Sequence, residues 1–246
     1  MRFINTETLI LEEYFGDQIP KYVILSHTWR DEEVTFQDWQ DTNRRSTKRG
    51  LWKIDAACIE ARRSSIEFLW VDTNCINKDS SAELSEAINS IFVWYQRSSV
   101  CFVYVDDFHY SGRSLTNFET CRWFTRGWTL QELLAPRKIR FFDASWKWIG
   151  DKYSLGAQIS AITSIDVQYP LRPDSIHLTS IAKKMSWVGV RSTTREEDIA
   201  YCLLGLFEVN MAFSMGKEGK HSYAFRRRLS GITTITLYSA GPGRRQ

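Results

Sequence analysis

The chain has no Cys-x-x-Cys pair, no grouped histidines, no glycine-rich phosphate loop and no long uninterrupted apolar run. Its five cysteines, Cys58, Cys75, Cys101, Cys121 and Cys202, are odd in number and widely spaced. They fit a reducing, intracellular compartment better than a disulfide framework, and four of them lie in apolar surroundings where Cys packs as a small hydrophobe. The four histidines stand far apart, so no zinc constellation is visible and no metal site is expected. Without a phosphate loop, a kinase, an ATPase or a conventional dehydrogenase is argued against, and no cofactor is required. No apolar run approaches the length that crosses a bilayer. Met1 to Asn5 lacks the apolar segment of a signal peptide, so the expected location is cytoplasmic, with no membrane partner. Charge of one sign is also scarce. A net charge of +3 does not by itself imply nucleic acid, and the basic residues are scattered apart from Arg226–Arg228 and Arg244–Arg245. There is no internal repeat and no low-complexity segment.

What is present is aromatic. Ten tryptophans and fourteen phenylalanines accompany an ordinary balance of 43% hydrophobic and 25% charged residues. A chain of 246 residues buries one substantial core, and one domain is expected.

Residues 1–20 read as a lead-in with an apolar patch at Leu9–Leu11, ended by Pro20. Tyr22–Ser26 and Ile66–Asp72 read as buried strands, and Leu51–Arg63 between them has helical apolar spacing. Ser80 and Glu83 have the spacing of a capping box. The helix they open carries Leu84, Ile88, Ile91, Phe92 and Tyr95 on one stripe. Val100–Val105 is a third strand and Lys138–Asp143 a fourth. This alternation predicts an α/β fold, a flavodoxin-like parallel sheet flanked by helices. After Trp146–Trp148 the pattern turns helical, over Tyr153–Ile162, Ile181–Val188, Asp198–Phe207 and a basic His221–Leu229. Thr194–Glu197 is a second capping-box candidate. The expected organisation is one domain over 1–235, with an α/β core at 20–145, a helical extension at 146–235 and a loose tail at 236–246.

The chemistry-bearing residues gather at predicted strand ends. Ser26, His27 and Trp29 follow the first strand, and Asp72, Asn74 and Cys75 follow the second. Ligands of open parallel sheets bind at those carboxyl ends. After the third strand, Gly127 marks a turn and Trp128–Leu134 reads as a short amphipathic helix with Trp128 and Glu132 on one face, beside Arg122 and Arg126. Each residue has a plainer reading. Glu132 is also a reasonable solvated helix charge, Asp72 a loop cap, His27 a structural histidine, and Cys75 either a nucleophile near His27 or a buried thiol. Arg226–Arg228 equally suit a solvated helix face, and no acidic cluster supports a nuclease. Convergence of hydroxyl, imidazole, indole, carboxylates and arginine from distant sequence favours a pocket.

Three of these strings together resemble the core motifs of the fungal heterokaryon incompatibility (HET) domain: Tyr22–Trp29, Trp70–Lys78 and Arg126–Glu132. Ser81–Asn89 and Thr193–Gly205 look like further signatures of it, and the resemblance runs from about residue 2 to residue 229. Four places depart from the family pattern. Arg30 stands where Gly is usual, Asn74 where a second Cys is common, and Asn77 where Asp is usual; Met215–Gly219 replaces a Tyr-Gly-Glu-Gly form. The resemblance implies a cell-death effector of fungal nonself recognition, with self-association and an NLR-like receptor or another protein of the same pathway as partners. HET domains are in turn remotely similar to Toll/interleukin-1 receptor (TIR) domains, whose enzymatic members cleave NAD with a glutamate in a Trp-x-x-x-Glu segment. Trp128–Glu132 matches that spacing. By this resemblance NAD(P) is the substrate class, Glu132 the catalytic residue, and Ser26, His27, Trp29, Asp72, Asn74, Cys75, Arg126 and Trp128 the residues around the substrate. A signalling module that oligomerises without catalysis is the alternative, with Trp146, Trp148 and Trp187 as candidate contacts.

Overall fold

The computed structural model describes residues 1–189, 191–193 and 196–207. Its strands are β1 (Arg2–Asn5), β2 (Leu11–Glu13), β3 (Tyr22–His27), β4 (Phe68–Trp70), β5 (Val100–Tyr104), β6 (Ile139–Phe142) and β7 (Trp148–Asp151). Its α-helices are α1 (Phe36–Trp39), α2 (Thr42–Ser46), α3 (Leu51–Arg63), α4 (Ser81–Arg97), α5 (Arg122–Thr125), α6 (Thr129–Leu134), α7 (Gly156–Thr163), α8 (Gln168–Leu171), α9 (Ile181–Ser186) and α10 (Glu196–Leu204).

The strands form one sheet in the order β2-β1-β4-β3-β5-β6-β7. Its centre, β4-β3-β5-β6, is parallel, which is the expected α/β arrangement with the first core strand between the second and the third. Every residue of β3, β4 and β5 is buried, as continuous apolar runs covered on both faces require. Helix α3 spans Leu51–Arg63 as its spacing predicts.

Helix α4 begins where the Ser80 signal places it, with the Ser80 hydroxyl accepting from Glu83 N–H at 3.4 Å. Only half of the capping box forms. The Glu83 carboxylate instead accepts from Asn77 N–H at 3.1 Å and holds Arg2 in a two-pronged pair at 2.8 Å. An arginine fork is a stronger partner than one backbone N–H, so the tertiary contact wins. Phe92 and Tyr95 of the predicted stripe are buried, together with Ala87, while Leu84, Ile88 and Ile91 are half-buried.

Three expectations about elements are corrected. Residues 1–20 are more than a lead-in, because β1 and β2 pair antiparallel and β1 joins β4, adding two strands to the sheet. The strands are too short to show a period, and their turn is made by side chains: Asn5 Oδ1 accepts from Glu7 and Thr8 N–H at 3.1 Å. The extension expected over 146–235 does not start as helix. Trp148–Asp151 forms β7, antiparallel on β6 with a register shift between Phe141 and Phe142. Finally, α6 is not amphipathic; all six of its residues are buried, and its neighbours are α4, α5, α8 and α10. A helix enclosed on all sides needs no polar face. The second capping box, the basic helix His221–Leu229, the segment at residues 215–219 and the tail lie outside the described residues.

Candidate functional site

In a strand, neighbouring side chains leave on opposite faces, so the last two residues of β3 serve two different groups. Ser26 turns toward α5 and α6. Its hydroxyl donates to Glu132 Oε2 and accepts from the Trp123 indole N–H at 2.7 Å. Ser26 and Trp123 are fully buried and Glu132 is 8% exposed. Tyr95 of α4, whose hydroxyl donates to Leu25 O at 3.3 Å, sits beside the same carboxyl.

Burial raises the Glu132 carboxyl. The Ser26 hydrogen bond opposes this, the Asp72 charge adds to it, and Arg126 and Tyr95 lower it, leaving the group at about 7. It therefore exchanges a proton near neutrality, an ionisation typical of functional carboxyls.

His27 turns the other way, toward Glu33 and Lys53. Its Nε2 lies 3.7 Å from Glu33 Oε2 and 4.0 Å from Asp72 Oδ1, and neither ring nitrogen has a hydrogen-bond partner. Burial, then the Lys53 charge, depress the imidazole to about 3, so it is neutral at physiological pH and the two acids are not its ion pairs. Asp72, after β4, accepts from the Trp29 indole at 3.0 Å and from Lys78 at 3.5 Å. Burial acts to raise it, but the Lys78 charge above all, with Lys53 and the Trp29 hydrogen bond, holds it below the ordinary carboxylate value. The Lys78 ammonium stands 3.4 Å from the centre of the Trp29 ring, a cation–π contact that covers one face of the indole.

The structure thus brings Ser26 and Glu132 into direct contact, with Asp72 and Arg126 in electrostatic range of that carboxyl. His27, Trp29 and Asp72 form a second group. Arg126 and Trp128, the latter capping α6, are half-buried. Asn74 is fully buried, and Cys75 is buried with its sulfur accepting from Val71 N–H at 3.4 Å. Burial pushes that thiol up to about 12, which leaves no thiolate for a nucleophile beside His27.

Sequence reading missed Trp123, Tyr95, Glu33, Lys53, Lys78 and Asp106 as members of these groups. Asp106 carried a usable signal, because it follows β5 as Asp72 follows β4. It accepts from Thr28 at 2.9 Å and from the Arg30 guanidinium. The departure at Arg30 thus supplies an ion pair at the same sheet edge. The departure at Asn77 keeps an acceptor oxygen, bonded by Gln37 Nε2 at 2.9 Å and Asp79 N–H at 3.2 Å. Trp123 carried no signal, since an indole in an aromatic string reads as core until its N–H is seen to meet Ser26. Among the described residues no group of His, Cys, Asp and Glu is arranged to hold a metal ion, and no helix is long and apolar enough to cross a membrane.

The family model for the heterokaryon incompatibility protein (HET) matches residues 22–114, from β3 through β5 and beyond it. The vegetative incompatibility protein HET-E-1 of Podospora anserina is 43% identical over 220 residues, which is 86% of this chain. The chain spans only 16% of the length of that relative. No solved structure matches it at a significant level. The three motifs, the matched strands and this long stretch of identity agree, and the chain belongs to the heterokaryon incompatibility (HET) domain family.

Proposed function

We propose that the chain is a cell-death effector domain of fungal heterokaryon incompatibility that hydrolyses NAD(P), or a related nucleotide, at the N-glycosidic bond. The observation that carries the catalytic part is the contact of Ser26 with Glu132, 106 residues apart in sequence, at the carboxyl end of the central strand. Cleavage of a nicotinamide–ribose bond passes through an oxocarbenium-like state, but nicotinamide leaves as a neutral molecule from a cationic ring and needs no general acid. One carboxylate suffices where ordinary glycoside hydrolysis uses two. Ionised Glu132 stabilises the positive charge that develops on the ribose, an interaction strengthened by its water-poor surroundings. Arg126 suits the pyrophosphate, and Trp128 or the open face of Trp29 suits a ring. Incubation of purified protein with NAD should release nicotinamide, and Glu132→Ala should lower turnover at least 100-fold, about the loss seen when one electrostatic contact to a transition state is removed. Equal turnover by both proteins removes Glu132 from the mechanism.

A second reading, a module that oligomerises without catalysis, is favoured by one surface feature. Trp148 is 55% exposed on the edge strand β7. The other tryptophans suggested for contacts are differently placed: Trp187 is buried and Trp146 stacks on Tyr104 at 5.2 Å. On this reading Trp148→Glu abolishes self-association in sedimentation while Glu132→Ala leaves both association and toxicity intact.

A further inference from the structure

Ser26 Oγ has one proton to donate and two lone pairs to accept with, and its neighbours decide how they are used. An indole N–H only donates, so the 2.7 Å contact from Trp123 occupies a lone pair of Ser26. The Ser26 proton then goes to Glu132 Oε2. Among the described residues these are the two hydrogen-bond partners of the Ser26 hydroxyl, and it is fully buried. If Glu132 carried a proton on Oε2 and donated it to Ser26, the serine proton would be stranded in the core. An unpaired buried donor loses its hydrogen bond to water with nothing in exchange, so this arrangement is disfavoured.

We propose that Trp123 is a positioning residue of this site: by donating to Ser26 it commits the serine proton to Glu132 Oε2, which leaves Oε1 as the oxygen that faces a reacting atom and that takes up a proton. The part that concerns a reacting atom rests on the function proposed above; the direction of the hydrogen bonds does not. The other titratable groups around Glu132 are Asp72 after β4, Tyr95 of α4, Cys101 of β5, Arg126, Arg191 and Cys202. None of them hydrogen-bonds Ser26, so the indole is the group that sets the serine's orientation.

The test is a titration of the glutamate carboxyl carbons by NMR, with the Glu132 signal assigned as the one missing from Glu132→Gln. Ser26→Ala removes a donor to the ionised form and should raise the Glu132 midpoint by about one pH unit or more. Trp123→Phe keeps a buried ring and loses the N–H, and should raise the midpoint by a smaller amount. The double variant should match Ser26→Ala, because the indole acts through the serine. An unmoved midpoint in Trp123→Phe, or additive shifts in the double variant, overturns the proposal. Where Trp123→Phe fails to fold, the indole N–H signals serve instead. In the wild-type protein one of them should follow the Glu132 titration, and Ser26→Ala should abolish that response; a wild type in which no indole follows it overturns the proposal. No substrate enters the titration. Absence of nicotinamide release therefore leaves the hydrogen-bond assignment standing, and a failed titration leaves the role of Glu132 in turnover untouched.

Discussion

At the scale of single residues, two buried titratable groups at the end of β3 make stability depend on pH with opposite signs. Folding raises Glu132 from 4.5 to about 7. Between those values the folded protein holds a proton that the unfolded chain releases, so this contribution is present at low pH and is lost as pH rises toward 7. Folding lowers His27 from 6.5 to about 3. Between those values the unfolded chain takes up a proton that the folded protein refuses, so this contribution is present above 6.5 and is lost as pH falls. Each group has a limiting slope of roughly 1.4 kcal/mol per pH unit. Urea midpoints followed against pH should show Glu132→Gln losing the decline toward neutrality and His27→Asn losing the decline toward acid. Unchanged pH profiles in both variants would contradict the burial assigned to these groups. The Ser26, His27, Asp72 and Glu132 types were legible in the motifs, but their pairing was not. Whether an acid meets a serine or a lysine depends on which face of the strand each side chain takes and what packs there.

The elements around α6 and α4 pack closely at two glycines, where an added side chain would meet a neighbouring one. Gly127 N–H donates to Ser192 O at 2.9 Å, and Ser192 N–H returns to Thr125 O at 2.7 Å. Arg191 Nη1 reaches Arg126 O at 2.8 Å and Thr129 Oγ1 at 2.7 Å, which ties the start of the helix to the same segment. A methyl group on Gly127 would stand 2.4 Å from Thr193 Cγ2, the end of a side chain that can turn away. On Gly205 it would stand 2.2 Å from Phe92 Cβ, next to the backbone of α4, where nothing can turn away. Gly205→Ala is therefore expected to destabilise by about 1–3 kcal/mol or more, and Gly127→Ala by less. Urea unfolding checks the order of the two, and a reversed order contradicts the packing described. Gly127 was readable as a turn in the sequence, yet its φ is not in the left-handed region. Its requirement comes from a partner strand segment about 65 residues away, which no local pattern announces.

For the whole molecule, the core encloses the thiols and the sheet ends in antiparallel strands. All five cysteines are free and buried, and burial pushes Cys58, Cys75 and Cys121 up to about 12. Alkylation followed by mass spectrometry should label them slowly in the native protein and completely after denaturation. Rapid native labelling of Cys75 would place it outside the core. The sequence by itself determined the parallel centre of the sheet, the long helices α3 and α4 and the family, because long apolar runs and helical periods are local consequences of burial. Only the tertiary structure decided the outer strands β1, β2 and β7, since their partly exposed residues form no continuous apolar run that a local pattern would mark. It alone also decided that α6 is enclosed and that Trp123, Ser26 and Glu132 form one chain of hydrogen bonds. A hydrogen bond needs atoms about 3 Å apart, and for residues separated by some hundred positions only the folded path of the backbone sets that distance.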